Sequence, residues 1–237
     1  MNGMGYLRRI LMDSDRLSIC SDQAGGAKVR PKRGHFVVLY FVAFIPSIAN
    51  DIVYAFAYSS VQFLTIDYVS HFFVLLVFLM SQDLRQFLWR IVSPEFNWPK
   101  AAILAIAAFA FEGAVGPAIS MYARDVLGTW HYYGRFPPPR GALLVFDNFV
   151  GLPFAAFTEE LLSRALFYRV FRSIVKSTTA LVLMSAVMFA AMHWGAGAPA
   201  VANAFVSGIV MMVLFLKTGS VVPGTIVHYL SNLIFFE

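Results

Sequence analysis

From residue 35 onward the apolar positions of this chain run on without alternating. Seven such runs each come near the roughly 20 residues that a helix needs to cross a bilayer. They span about 35–57, 61–81, 100–123, 141–172, 178–194, 199–217 and 220–236. A membrane β-barrel would instead show segments of about 10 residues that alternate apolar and polar positions. The pattern predicts an all-α fold, a polytopic membrane helix bundle of about seven transmembrane helices.

Composition agrees with the pattern. The 237 residues are 59% hydrophobic and 13% charged, with 24 Phe, where soluble domains are about 45–50% apolar and about 25% charged. The mean hydropathy is +0.69. The connections are too short for a second soluble domain, and no internal repeat is visible. The single Cys20 excludes an intrachain disulfide.

The net charge of +5 carries its information in its positions. Residues 1–34 hold Arg8, Arg9, Arg16, Lys28, Arg30, Lys32 and Arg33 and read as a basic cytoplasmic tail. No apolar core follows the first basic residues closely, so a cleaved signal peptide is not expected. Arg85 and Arg90 in the loop 82–99, then Arg169, Arg172, Lys176 and Lys217, fall on the tail's side if the spans alternate. The positive-inside rule then puts the N-terminus in the cytoplasm and the C-terminus outside. Loop 124–140, with Pro137, Pro138 and Pro139, is expected to be an extended external connection. The expected partners are the lipid bilayer and no nucleic acid, for which no motif is present.

The fourth run is interrupted by Phe157-Thr158-Glu159-Glu160-Leu161-Leu162-Ser163-Arg164. Each charge at membrane depth costs about 2.5 kcal/mol or more, so such residues face a protein interior or a wet cavity. A single helix over 141–172 would measure about 48 Å, with the Glu pair near its middle. Glu160 and Arg164 are i,i+4 and can form an ion pair. Glu159 is turned about 100° away and is the freer of the two carboxylates, suited to act as a general base. Glu159 precedes Lys176 by 17 residues and His193 follows it by 17, so a helical hairpin turning there brings the two to similar depth. Phe189 is i,i+4 to His193 and can pack on its ring, while His228 and Asn232 share a face of the last run.

Taken singly, each of these residues has a structural reading: an interhelical hydrogen bond for a His or Asn, a buried ion pair for Glu160 and Arg164. Together they can activate water. Glu159 would take its proton, and His or Asn donors would stabilise the oxyanion of an attacked carbonyl. Alternatively, Glu159 with His193 and His228 could hold a divalent metal such as zinc. No HExxH pair supports the metal reading.

In order along the chain these motifs are Glu159-Glu160-x-x-x-Arg164, Phe189-x-x-x-His193 and His228-x-x-x-Asn232. The chain thereby resembles the CPBP, or Abi, family, which includes the type II CAAX prenyl endopeptidases and bacteriocin-processing relatives. The resemblance covers residues 159–232. It implies an intramembrane endopeptidase open to the cytoplasmic side, acting on a peptide or protein near the membrane interface, in a bacterial cytoplasmic membrane. It implies catalytic roles for Glu159, the water activator, His193, its partner on that water, and His228 and Asn232, which stabilise the oxyanion. Glu160, Arg164 and Phe189 would support them. The family has been described both as metal-dependent and as a metal-independent glutamate protease, and both mechanisms stay open here.

The chain thus divides into the tail 1–34, N-terminal transmembrane helices 35–140 for packing and access, and a catalytic core 141–237. Asn50, Asp51, Glu112, Asp147, Asn148 and Asn203 fall outside the motifs and are expected to cap helices or bond between them, with Asp147 at the outer end of the cavity and Glu112 beside the site. Two other readings compete: a proton-coupled transporter, which the absence of an inverted repeat disfavours, and a non-catalytic peptide-binding or bacteriocin-immunity protein.

Overall fold

A computed structural model describes residues 33–54, 59–92, 97–128 and 139–235. The tail up to residue 32, with Cys20, and the part of the external connection holding Arg135, Pro137 and Pro138 lie outside the described residues, as does the side chain of Asp51. Among the described residues all regular structure is helical. In chain order the helices are α1 (Arg33–Tyr54), α2 (Ser60–Met80), α3 (Gln82–Val92), α4 (Trp98–Leu127), α5 (Ala142–Phe171), α6 (Thr178–Ala191), α7 (Ala198–Thr218) and α8 (Val222–Phe235). Four of them, α2, α4, α5 and α7, are long and apolar enough to cross a membrane; Phe36–Asn50 of α1 and all of α6 are apolar but shorter. The protein is an integral membrane helix bundle.

Local chemistry sets the ends of these elements. Ser59 accepts a hydrogen bond from the Gln62 N–H at 3.2 Å and starts α2, as Ser177 does for α6 through Ala180; such caps satisfy donors that the first turn leaves open. Gly219, at φ 70°, ends α7 in the left-handed region, which glycine enters without a Cβ clash. The loop expected over 82–99 is partly a helix, α3. Leu84 and Ile91, seven residues apart on one face, are buried, while Arg85 and Arg90 stay outside. Asp83 in its first turn and Arg90 in its last complement the helix dipole.

α5 is the central element, packed against α1, α2, α6, α7 and α8. It is not a uniform α-helix: Asp147–Gly151 and Leu161–Leu166 are π-helical. π-turns are rare, and they concentrate at functional sites. The second begins directly after Glu160 and carries Arg164.

Inside a bilayer, apolar burial gives little drive to helix association, so close backbone approach and polar contacts hold the bundle. α6 and α7 meet at Gly208, where an added Cβ would lie 2.8 Å from the Ala186 Cα. α4 and α7 meet at Gly116, where it would lie 2.9 Å from the Asn203 Oδ1. Around α5 an aromatic core forms from Tyr40, Phe78, Phe167, Phe189 and Phe215, all buried.

Candidate active site

Arg164 is completely buried, and the site is organised around it. Its Nη2 donates to Glu160 Oε1 at 3.3 Å. Its Nε lies 3.1 Å from Oε2 but off the line of a directed hydrogen bond, so that contact is ionic. The i,i+4 pair suggested by spacing is therefore formed. Nη1 reaches Ser185 Oγ on α6 at 3.5 Å, and Ser185 in turn donates to the Ser163 carbonyl at 2.7 Å. The guanidinium sits 4.4 Å from the centre of the Phe189 ring, a cation–π contact out of reach of water.

Glu160 Oε1 also faces His228 Nδ1 at 3.2 Å. Gly224, one helical turn before His228, permits this: a Cβ there would come within 3.1 Å of Glu160 Oε2. The acceptor carboxylate puts the ring proton on Nδ1, which leaves Nε2 with its lone pair in the neutral ring. That nitrogen points at Glu159 Oε2, 3.7 Å away. His228 is buried and so joins the two carboxylates.

The two glutamates are inequivalent, as their offset on the helix suggested. Glu160 is 1% exposed and held by a cation and an imidazole, whereas the Glu159 side chain keeps 18% of its surface. Glu159 Oε2 is itself buried and has no hydrogen-bond partner.

His193 falls just beyond the end of α6, with φ −111° and ψ 15°. Its Nδ1 bonds the Phe189 carbonyl at 3.0 Å and its ring packs edge-on to Phe189 at 4.8 Å. Phe189 also meets the His228 ring at 5.6 Å. The Phe-x-x-x-His spacing thus makes one aromatic prop for Arg164, His193 and His228. No hydrogen bond or ion pair joins His193 to Glu159 among the described residues. Asn232 is half-buried, one turn beyond His228.

The second imidazole at Glu159 comes from elsewhere. His71, on α2, places Nε2 3.8 Å from Glu159 Oε1 and 3.3 Å from Asp67 Oδ1, and its Nδ1 is 2.8 Å from Thr158 Oγ1. Asn50 of α1 reaches the same Asp67 oxygen at 3.4 Å. A polar chain therefore runs from Asn50 through Asp67, His71, Glu159, His228, Glu160 and Arg164 to Ser185, across α1, α2, α5, α8 and α6. Sequence reading missed Asp67 and His71. The signal was there: two ionisable residues, i,i+4, in an otherwise apolar span.

Of the residues outside the motifs, Asn50 and Asp147 bond to side chains of other helices. Asp147 accepts from the Tyr68 hydroxyl at 2.7 Å. Glu112 is buried in α4 with Oε1 unpartnered. No three His, Cys, Asp or Glu side chains among the described residues are grouped as a metal ion requires, so Glu159, His193 and His228 do not form a ligand set in this geometry.

Residues 141–234 match the family model described as "Type II CAAX prenyl endopeptidase Rce1-like". The match supports an intramembrane protease of the CPBP type over this segment. The segment holds every motif residue named above, on α5, α6 and α8 and, for His193, just beyond the end of α6. Neither the curated proteins nor the solved structures give a significant match to the chain. The matched segment begins just before α5, so Asn50, Asp67 and His71 reach the site from outside it.

Proposed function

We propose that the protein is an endopeptidase in which Glu159 takes a proton from a water that attacks a peptide carbonyl. The observation that carries this reading is the buried Glu159 Oε2, which lacks a hydrogen-bond partner and lies 3.7 Å from His228 Nε2. Leaving a buried carboxylate oxygen without a donor costs about 1–3 kcal/mol or more. A water between Oε2 and Nε2 would satisfy both atoms, and contacts longer than about 3.5 Å are where such a bridge belongs. It would donate one O–H to the carboxylate and one to the imidazole, which leaves an oxygen lone pair for the carbonyl.

The water oxygen forms a bond to the carbonyl carbon as its proton passes to Glu159. The Asn232 amide is one turn from His228 and can donate to the oxyanion. His193, its Nδ1 committed to the Phe189 carbonyl, offers Nε2 as an acceptor to orient water or substrate. Glu159 then returns the proton to the leaving nitrogen, the C–N bond breaks, and a carboxylate and an amine result. The proposed substrate is a peptide or protein segment near the cytoplasmic face of a bacterial membrane, with a prenylated CAAX peptide as one candidate and a leader or bacteriocin peptide as another.

The test uses purified protein in nanodiscs with quenched fluorogenic peptides, farnesylated CAAX and unprenylated, with and without chelator. Glu159→Gln is expected to slow turnover by about 10²–10⁴-fold, the usual contribution of a general base, and chelator is expected to leave the wild type active. Equal turnover by wild type and variant removes Glu159 as the base. Activity abolished by chelator and restored by a divalent cation moves the reaction to the metal class.

A further inference from the structure

We infer that His71, contributed by α2, is a positioning residue for Glu159: it holds Oε1 and so leaves Oε2 aimed at the reacting water. The inference rests on Glu159 being the base.

The ring of His71 is fixed at both ends. Nε2 faces two acceptors, Asp67 Oδ1 at 3.3 Å and Glu159 Oε1 at 3.8 Å. A lone pair there would oppose two carboxylates, so Nε2 carries the hydrogen. Nδ1 lies 2.8 Å from Thr158 Oγ1, which anchors the other end of the ring. Thr158 Oγ1 is within 3.0 Å of the Phe154 and Ala155 carbonyls of its own helix, so its one hydroxyl proton is shared among neighbouring acceptors. The Phe154 ring meets His71 edge-on at 6.3 Å and limits its tilt. Nearly all of the imidazole is buried.

The consequence for Glu159 is directional. Each of its oxygens faces a different imidazole: Oε1 faces His71 on α2, and Oε2 faces His228 on α8. A carboxylate on one helix is free to turn about its side-chain torsions. With the His71 imidazole fixed beside Oε1 at 3.8 Å, the other oxygen stays toward His228. Small misplacement of a reacting group can cost about 10²-fold in rate, so this restraint is worth a measurable part of turnover. Asp67, itself held by Asn50, sets the azimuth of the His71 ring. The arrangement makes α2 part of the catalytic apparatus, although it lies outside the protease domain recognised by sequence.

The test compares wild type, His71→Phe, His71→Gln and the double variant His71→Phe/Asp67→Leu in nanodiscs, with the farnesylated CAAX probe. The double variant removes the carboxylate that His71→Phe alone would strand, and it keeps the test open if the single variant folds poorly. For a positioning role, kcat falls about 10–100-fold with KM little changed, and His71→Gln, which restores an N–H near the Nε2 position, recovers part of it. Placed on Glu159→Gln, His71→Phe adds no further loss. Unchanged kcat in His71→Phe, or an equal loss on both backgrounds, overturns the inference. If Glu159→Gln itself turns over like wild type, the base assignment has failed instead, and the two failures are distinct. An infrared readout needs no turnover. The carboxylate band lost in Glu159→Gln should shift in His71→Phe and move back in His71→Gln; a band that stays in place overturns the inference by itself.

Discussion

Arg164 shows how much one side chain can be asked to do. It is buried without remainder, neutralises Glu160, covers the face of Phe189 and reaches Ser185. Removing one member of a buried ion pair strands the other charge and costs about 3–5 kcal/mol, while replacing both by apolar groups is often neutral. Arg164→Leu should therefore lower the thermal unfolding temperature in detergent sharply, and Glu160→Leu/Arg164→Leu should recover most of it. Turnover should not recover in the double variant. His228 would lose the acceptor that turns Nδ1 toward α5, and with it the orientation of Nε2 toward Glu159. Thermal scans that recover together with activity would show that Glu160 serves stability alone.

Two of the glycines at which helices meet closely, Gly208 and Gly224, have neighbours that predict different failures. At Gly208 the obstacle to a Cβ is the Ala186 backbone, 2.8 Å away, so Gly208→Ala must spread α6 from α7. Overpacking of this kind costs about 1–3 kcal/mol, and stability should fall before kcat does. At Gly224 the obstacle is the Glu160 carboxylate at 3.1 Å, which Arg164 and His228 already pin. Gly224→Ala should displace that carboxylate by a few tenths of an ångström and lower kcat with a smaller loss of stability; kinetics and unfolding of the two variants side by side decide it. The same scale explains what was legible in sequence. Glu160–Arg164, Phe189–His193 and His228–Asn232 are each i,i+4 on one helix, so periodicity alone put them on shared faces. α3 was hidden because its apolar face is short and its charges resemble a loop. The pairing of Glu159 with His71 was hidden because 88 residues separate them in the chain and only tertiary packing of α2 on α5 brings them together. The hairpin count placed His193 at the depth of Glu159; α6 ends at Ala191, and the His193 Nδ1 bonds the Phe189 carbonyl.

Among the described residues most of the basic side chains gather at one end, with Arg124 and Arg140 at the other. Arg169, near the end of α5, lies over Phe36 of α1 at 5.4 Å and Phe87 of α3 at 5.6 Å. Ser220, in the turn between α7 and α8, donates to the Ile91 carbonyl of α3 at 2.6 Å. The start of α1, α3, the end of α5 and the α7–α8 turn therefore share one face of the bundle. That face carries Arg85, Arg90, Arg169, Arg172, Lys176 and Lys217, and the chain enters it from the basic tail. Arg124 and Asp125 end α4 at the other side of its long span. We propose from the positive-inside rule that the basic face is cytoplasmic. Cys20 is the one thiol in the chain, 13 residues before Arg33, with no apolar run between them long enough to cross a bilayer. It is thus a native reporter of orientation. A membrane-impermeant maleimide should label it in inverted vesicles and leave it unlabelled in intact cells, with a Cys20→Ser control giving no signal. Labelling from the outside of intact cells would reverse the orientation and put the mouth of any cytoplasmic site on the wrong side. Labelling only in inverted vesicles places the tail and the basic face on the side from which peptides made within the cell would approach.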